Sequence, residues 1–284
     1  MEGGGGVRDD YDDGDRPVLD PYHLDAMCDG AHGAPLIRWP NRLGDGRYRF
    51  DGADHQVALT EPSTMTAIHG FLRWRPWRAL WHSPDRVLMV TRVFPMPGYP
   101  FVLEVEVDYR FGADGLVVAT TATNAGDQAC PYGCGQHPYL SAGSATLDDC
   151  ELELAANTRI VTDERQLPTG TQAVAGTTFD FRQRRRIGPL RVDFAFPDLA
   201  RDESGPAWVR LWRPDGARVE LWVDDGYPNI EIYTGDTLAA GRRRRGLGTE
   251  PMSCPPNAFQ TGEQVIALRP GRCVTTRWGV RLRA

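Results

Sequence analysis

The chain has 284 residues, of which 41% are hydrophobic and 25% charged, and it carries a formal net charge of −6. This is the composition of an ordinary soluble globular protein, and the acidic balance argues against a nucleic-acid partner. No apolar run approaches the roughly 20 residues that a membrane span requires, and six scattered cysteines do not make a disulfide framework.

Taken in chain order, the N-terminus has neither a basic start nor an apolar stretch, so it is not a secretory signal and a cytoplasmic protein is expected. Residues 1–15 are glycine- and aspartate-rich and read as a flexible or truncated start, with residues 16–284 as one catalytic domain. A short helical turn is expected around Pro21 to Met27. His23, His32, His55 and His82 lie among charged or loop residues and read as surface positions. Arg42 follows a rigid Trp39-Pro40-Asn41 turn. A guanidinium fixed in this way suits hydroxyl or carboxylate recognition, and a loop salt bridge is the plainer use.

Two segments interrupt the strand-like pattern with unusual chemistry: Ala67 to Trp77 and Tyr132 to Leu140. Each sets a histidine, His69 or His137, beside Gly or Pro in backbone that lets a ligand approach. Cys130 and Cys134 stand as C-x3-C with no second pair at zinc spacing, so buried free thiols are expected and no metal site. Elsewhere period-2 alternation dominates. Phe101, Leu103, Val105, Val107 and Tyr109 share one strand face; Cys150, Leu152 and Leu154 repeat the pattern. Trp208 to Trp212 and Arg218 to Val223 are two strands joined by a Pro214-Asp215-Gly216 turn, and Val274 to Leu282 alternates again.

Asp193, alternating with apolar neighbours, is either a partly buried acceptor or the solvent side of an edge strand. Of the aromatics Trp74, Trp77, Tyr99, Phe101, Tyr139 and Trp222, some could floor a sugar site, with at least half in the core. The chain contains no lysine, and the runs Arg184 to Arg186 and Arg242 to Arg245 read as solvated loop charges. With glycine and proline punctuating short strands and almost no helical periodicity, the fold class is all-β, a large sandwich or barrel.

The run Gly248 to Phe259 sets one carboxylate, Glu250, among small, proline and apolar residues with no cation within four positions. Such a group is either a turn cap or a partly dried, rigid general base.

Five segments in sequence order, Trp39 to Gly52, Ala67 to Trp77, Gly135 to Leu140, Thr162 to Gly170 and Gly248 to Phe259, resemble the aldose 1-epimerase, or galactose mutarotase-like, family over residues 16 to 282. The resemblance implies a β-supersandwich and cofactor-free interconversion of the α and β anomers of a free aldohexose. It implies Glu250 as base and His137 as acid. His69, Arg42, Asp193, Asn41, Trp77 and Tyr139 follow as substrate contacts. The implied partner is a small sugar, with no nucleic acid or membrane, and the protein a monomer or homodimer. Arg38 and Gln136 depart from the family's usual spelling and could alter the pocket. Action on hexose 6-phosphates, with a phosphate held by the arginine loops, and non-catalytic sugar binding are the alternatives.

Overall fold

A computed structural model describes residues 16–22 and 29–283. The expected helical turn near Pro21, the surface position of His23, Cys28 and the reading of residues 1–15 therefore lie, wholly or in part, outside the described residues.

The alternation seen in the sequence becomes a nine-stranded antiparallel sheet. Its order is Arg185–Arg186, Glu151–Leu154, Ala207–Trp212, Arg218–Val223, Cys273–Arg283, Gly115–Asn124, Leu103–Gly112, Arg86–Val93, Arg78–Ser83. Leu103, Val105 and Val107 are buried while Glu104 and Glu106 are exposed, as a period of two requires. The Pro214-Asp215-Gly216 turn closes with Arg213 N–H donating to the Ala217 carbonyl, which sets Trp212 opposite Arg218. Trp278 and Val280 point into the same core, and Val274 and Leu282 pack at its margin.

A second antiparallel sheet covers this one: Pro35–Arg38, Cys130–Gln136, Gly246–Met252, Asn229–Tyr233, Asp193–Phe196, with Tyr139–Ser141 and Ile266–Leu268 paired alongside. Buried side chains from both sheets form one large apolar cluster. Among the described residues, helix amounts to Ala258–Thr261 and three short 3-10 turns. The chain therefore has the expected all-β sandwich.

The segment from Tyr132 differs from its sequence reading. Cys130–Gln136 is a regular strand, buried at every residue, in the middle of the second sheet. A strand covered on both faces has no reason to alternate, so it looked irregular. Gly135 serves packing there, not a turn: a Cβ would stand 2.7 Å from the Pro251 carbonyl.

The arginine runs match expectation only in part: Arg184, Arg186, Arg243 and Arg245 are exposed, whereas Arg242 and Arg244 are partly buried. Arg244 is 14% exposed at its side chain, ion-paired with Asp148 and Asp236, and donates to the carbonyls of Gly188 and Leu190. Arg242 is bonded to Asp20 and the Pro21 carbonyl, Arg184 to Glu151, and Arg186 to Asp149. These residues staple loops together. A run of like charge says nothing about where the acceptors lie, so the sequence could not show this. Arg244→Met strands two carbonyls and two carboxylates, and a loss of about 2 kcal/mol is expected in urea unfolding.

Cys130 and Cys134 are buried free thiols, as expected; Cys150 and Cys254 are too, and Cys273 is exposed. Among the described residues no helix is long and apolar enough to cross a membrane.

Candidate active site

Glu250 lies in the central strand Gly246–Met252 and is 3% exposed. Its Oε1 is 3.0 Å from Nε2 of His137, in the link between Cys130–Gln136 and Tyr139–Ser141. Backbone bonds from His137 N–H to the Ala34 carbonyl, and from Gly33 N–H to the His137 carbonyl, fix that link. His69 completes the cluster, its ring 5.4 Å from that of His137.

The backbone positions His69 by an unusual route. His69, Gly70 and Asn41 all have positive φ (62°, 61° and 55°). The left-handed conformation is strained for a side-chain-bearing residue and persists where other contacts enforce it. Here a reciprocal pair does so. His69 N–H donates to the Asn41 carbonyl at 2.9 Å, and Asn41 N–H donates to His69 Nδ1 at 3.2 Å. With Nδ1 accepting, the neutral ring carries its proton on Nε2. Burial and the neighbouring His137 hold the His69 pKa well below the usual imidazole value.

Burial likewise drives the His137 pKa well down, aided by His32. Glu250 moves the other way, pushed up by burial first and by Asp193 second, with Arg42 opposing. Both shifts favour the neutral forms of carboxyl and imidazole.

Two further features of His137 were not visible in the sequence. Its Nδ1 is buried without a hydrogen-bond partner among the described residues. The ring is held instead by stacking on Tyr139, at 4.8 Å and 9°, and His32 stacks on the other face of Tyr139 at 3.6 Å and 4°. Tyr139 donates its hydroxyl proton to the Gly30 carbonyl, and His32 Nε2 lies 3.0 Å from Asp20 Oδ2. His32, read as a surface residue, is thus buried at the back of the site. Its surrounding Gly and Ala residues give no periodicity from which burial could be read.

Arg42 holds Glu61 in a two-pronged bond of 2.8 and 3.2 Å. Its charge still reaches Asp193, Glu231 and Glu250, so the loop salt bridge expected of Arg42 stands beside these carboxyls. Asp193 is on the edge strand, partly buried, and accepts from Gln166 Nε2 at 3.2 Å. Trp77 is placed elsewhere: its indole N–H donates to the Leu72 carbonyl, and it lines a groove with Arg38, Phe71, Val93 and Met96.

Arg38 itself lies between the rings of Tyr99 and Phe71, and Gln136 Nε2 bonds Thr120 of the facing sheet. Tyr99 and Phe101 are core, Trp74 is exposed, and Trp222 is a half-buried member of the nine-stranded sheet. Asn257, missed in the sequence, accepts from Gly44 N–H through Oδ1 and donates its own N–H to the Arg42 carbonyl, tying the arginine to the loop after Glu250. Its sole sequence signal is an Asn after two prolines, a residue type that tolerates positive φ.

His69, His137 and Glu250 each offer a donor atom, all within 4.8 Å of one another. Two imidazoles and a carboxylate form a set that can hold a zinc-like cation. The same set, with donor and acceptor already in hydrogen-bond contact, is equally an acid–base pair with a second imidazole beside it.

An all-β sandwich thus carries a buried Glu–His pair with a second fixed histidine beside it. The chain belongs to the aldose 1-epimerase family, which it matches over residues 4–279. It is 35% identical to the uncharacterized protein YihR of Escherichia coli (strain K12) over 89% of this chain and 79% of that one. Identity to human galactose mutarotase is 29%, over 84% and 75% of the respective chains. The GalM/aldose epimerase homologue from C. elegans superposes with a TM-score of 0.84 at 20% identity, covering 94% of this chain and 88% of the other.

Proposed function

We propose that the protein is a mutarotase that interconverts the α and β anomers of a free aldose, with Glu250 as base and His137 as acid. The carrying observation is the 3.0 Å contact between Glu250 Oε1 and His137 Nε2 in a buried site. Ring opening of a hemiacetal removes a proton from the anomeric hydroxyl and adds one to the ring oxygen. Both oxygens are bonded to the same carbon, so acceptor and donor must be neighbours, as these two are.

Opening starts from the ion-pair form, carboxylate and imidazolium. Glu250 takes the anomeric proton as His137 protonates the ring oxygen, and the ring C–O bond breaks. The pair is then neutral, which is the state burial favours, so the proton transfers run with the local field. The aldehyde rotates about one bond, and the reverse transfers close the ring on its other face. His69, with its proton on Nε2, donates to a sugar oxygen, while Arg42, Asn41 and Asp193 hold the hydroxyls and Tyr139 keeps the His137 ring in place.

A phosphorylated sugar is disfavoured because the arginine runs that would receive the phosphate are bonded to local carboxylates and carbonyls. Polarimetry of freshly dissolved glucose, galactose and glucose 6-phosphate tests the reading. Accelerated mutarotation of a free hexose is expected, and acceleration confined to the phosphate ester would overturn the substrate class. Dialysis against EDTA is expected to leave the rate within about twofold, because acid–base exchange by two side chains needs no Lewis acid. A loss restored by zinc would make the His–His–Glu cluster a metal site.

A further inference from the structure

Beside the Glu250–His137 pair lies a carboxyl group that the proposed proton transfers leave unused. Glu231, in Asn229–Tyr233, stands directly opposite Glu250 in the antiparallel register. Opposed residues share a sheet face, so the two side chains project from neighbouring positions on the same side of the sheet. Glu231 is 2% exposed, and Oε2 of Glu231 and Oε2 of Glu250 are both buried without a hydrogen-bond partner among the described residues. Asp193, on the next strand, faces the same space. Arg42, from the loop side, is the cation whose charge acts on all three carboxyls, and its guanidinium already grips Glu61. His137 lies beyond Glu250, and on Glu231's own strand the Asn229 side chain donates to Gln264. Three carboxylates and one shared cation cannot all be ionised in a site this dry.

We propose that Glu231 is a positioning residue for the base: as a neutral acid it donates its proton to the free Oε2 of Glu250, so that two carboxyls share one proton and Oε1 remains for His137 and the sugar. This rests on the assignment of Glu250 as base. Burial first, then Glu250 and Asp193, hold the Glu231 pKa well above the usual carboxylate range, in keeping with the neutral form. The working state is then the singly protonated carboxyl pair. At alkaline pH the shared proton leaves, and the second negative charge opposes the charge that develops on the anomeric oxygen.

Glutamine at 231 keeps the shape and an N–H donor but cannot ionise. In a pH profile of anomer exchange, both rates are expected to fall on the alkaline side as the Glu250–His137 pair loses its proton, the wild-type rate more steeply because Glu231 ionises as well. The ratio of variant to wild type should rise by about tenfold between neutral pH and pH about 10. Glu231→Leu, with no donor, is expected to be slower than wild type by about tenfold at neutral pH. Superimposable profiles for wild type and Glu231→Gln would overturn the proposal.

A second readout needs no activity. Carbon-13 NMR titration of the glutamate carboxyls in the sugar-free protein should show two linked steps for the wild type and one for Glu231→Gln. A Glu250 titration indifferent to the substitution would refute the shared proton. If the wild type accelerates no sugar's mutarotation, the mutarotase reading falls and the titration alone decides the proposal.

Discussion

Glu250→Gln is expected to lower the catalysed rate of anomer exchange by roughly 10²–10⁴-fold, the usual contribution of a positioned proton-transfer group. The amide keeps the shape and can meet His137, but it accepts no proton from the anomeric hydroxyl. His137→Asn should lose activity on the same scale, because the ring oxygen then departs unprotonated. The double variant should be little worse than either single one, since the two transfers are halves of one step. Stability should not fall in Glu250→Gln: burial already pushes this carboxyl toward its neutral form, and a neutral amide replaces it. Optical rotation of freshly dissolved hexose gives the rates, and thermal unfolding gives the control. Retention of most activity by Glu250→Gln would remove Glu250 from the base's role.

Gly70→Ala is expected to be the most damaging small substitution near the site, costing about 3 kcal/mol or more. A Cβ at this position would lie 2.0 Å from the Ile37 carbonyl oxygen, which is backbone and cannot turn aside, and φ is +61°. Gly70 is also bridged to Ile37, and the next residue, Phe71, donates its N–H to the Ile37 carbonyl. Any shift that relieves the clash moves the turn holding His69 against Asn41. Chemical denaturation should therefore show lost stability, and sugar affinity should fall in whatever fraction folds. An unaltered unfolding midpoint would contradict the packing described.

The nine-stranded sheet was largely legible because it has one face in the core and one toward solvent. Leu103, Val105 and Val107 against Glu104 and Glu106 carry that asymmetry in their order. The second sheet was harder. Cys130–Gln136 and Gly246–Met252 are covered on both faces, and their glycines reflect close packing that only a partner strand reveals. Glu250, His137, His69 and Asn41 announced themselves through Gly and Pro surroundings and through motif order, and the structure brings these four together.

Glu231 did not. In Asn229–Tyr233 it sits between two isoleucines, in a stretch too short to tell a core face from a solvent face, and only the pairing with Glu250 shows where its face points. His32 and Asn257 were hidden for a related reason. Their roles depend on contacts with Tyr139 and Gly44, far away in the chain, and local composition does not record such contacts.

The central claim, that the buried Glu250–His137 pair exchanges protons with an anomeric centre, is tested most directly by two-dimensional NMR exchange spectroscopy on an aldose already at anomeric equilibrium. Added wild-type protein should produce α–β cross-peaks whose build-up rate scales with protein concentration, while Glu250→Gln at the same concentration leaves the spontaneous rate. Cross-peaks no faster with the wild type than in buffer, for glucose, galactose and other free aldoses alike, would contradict the claim.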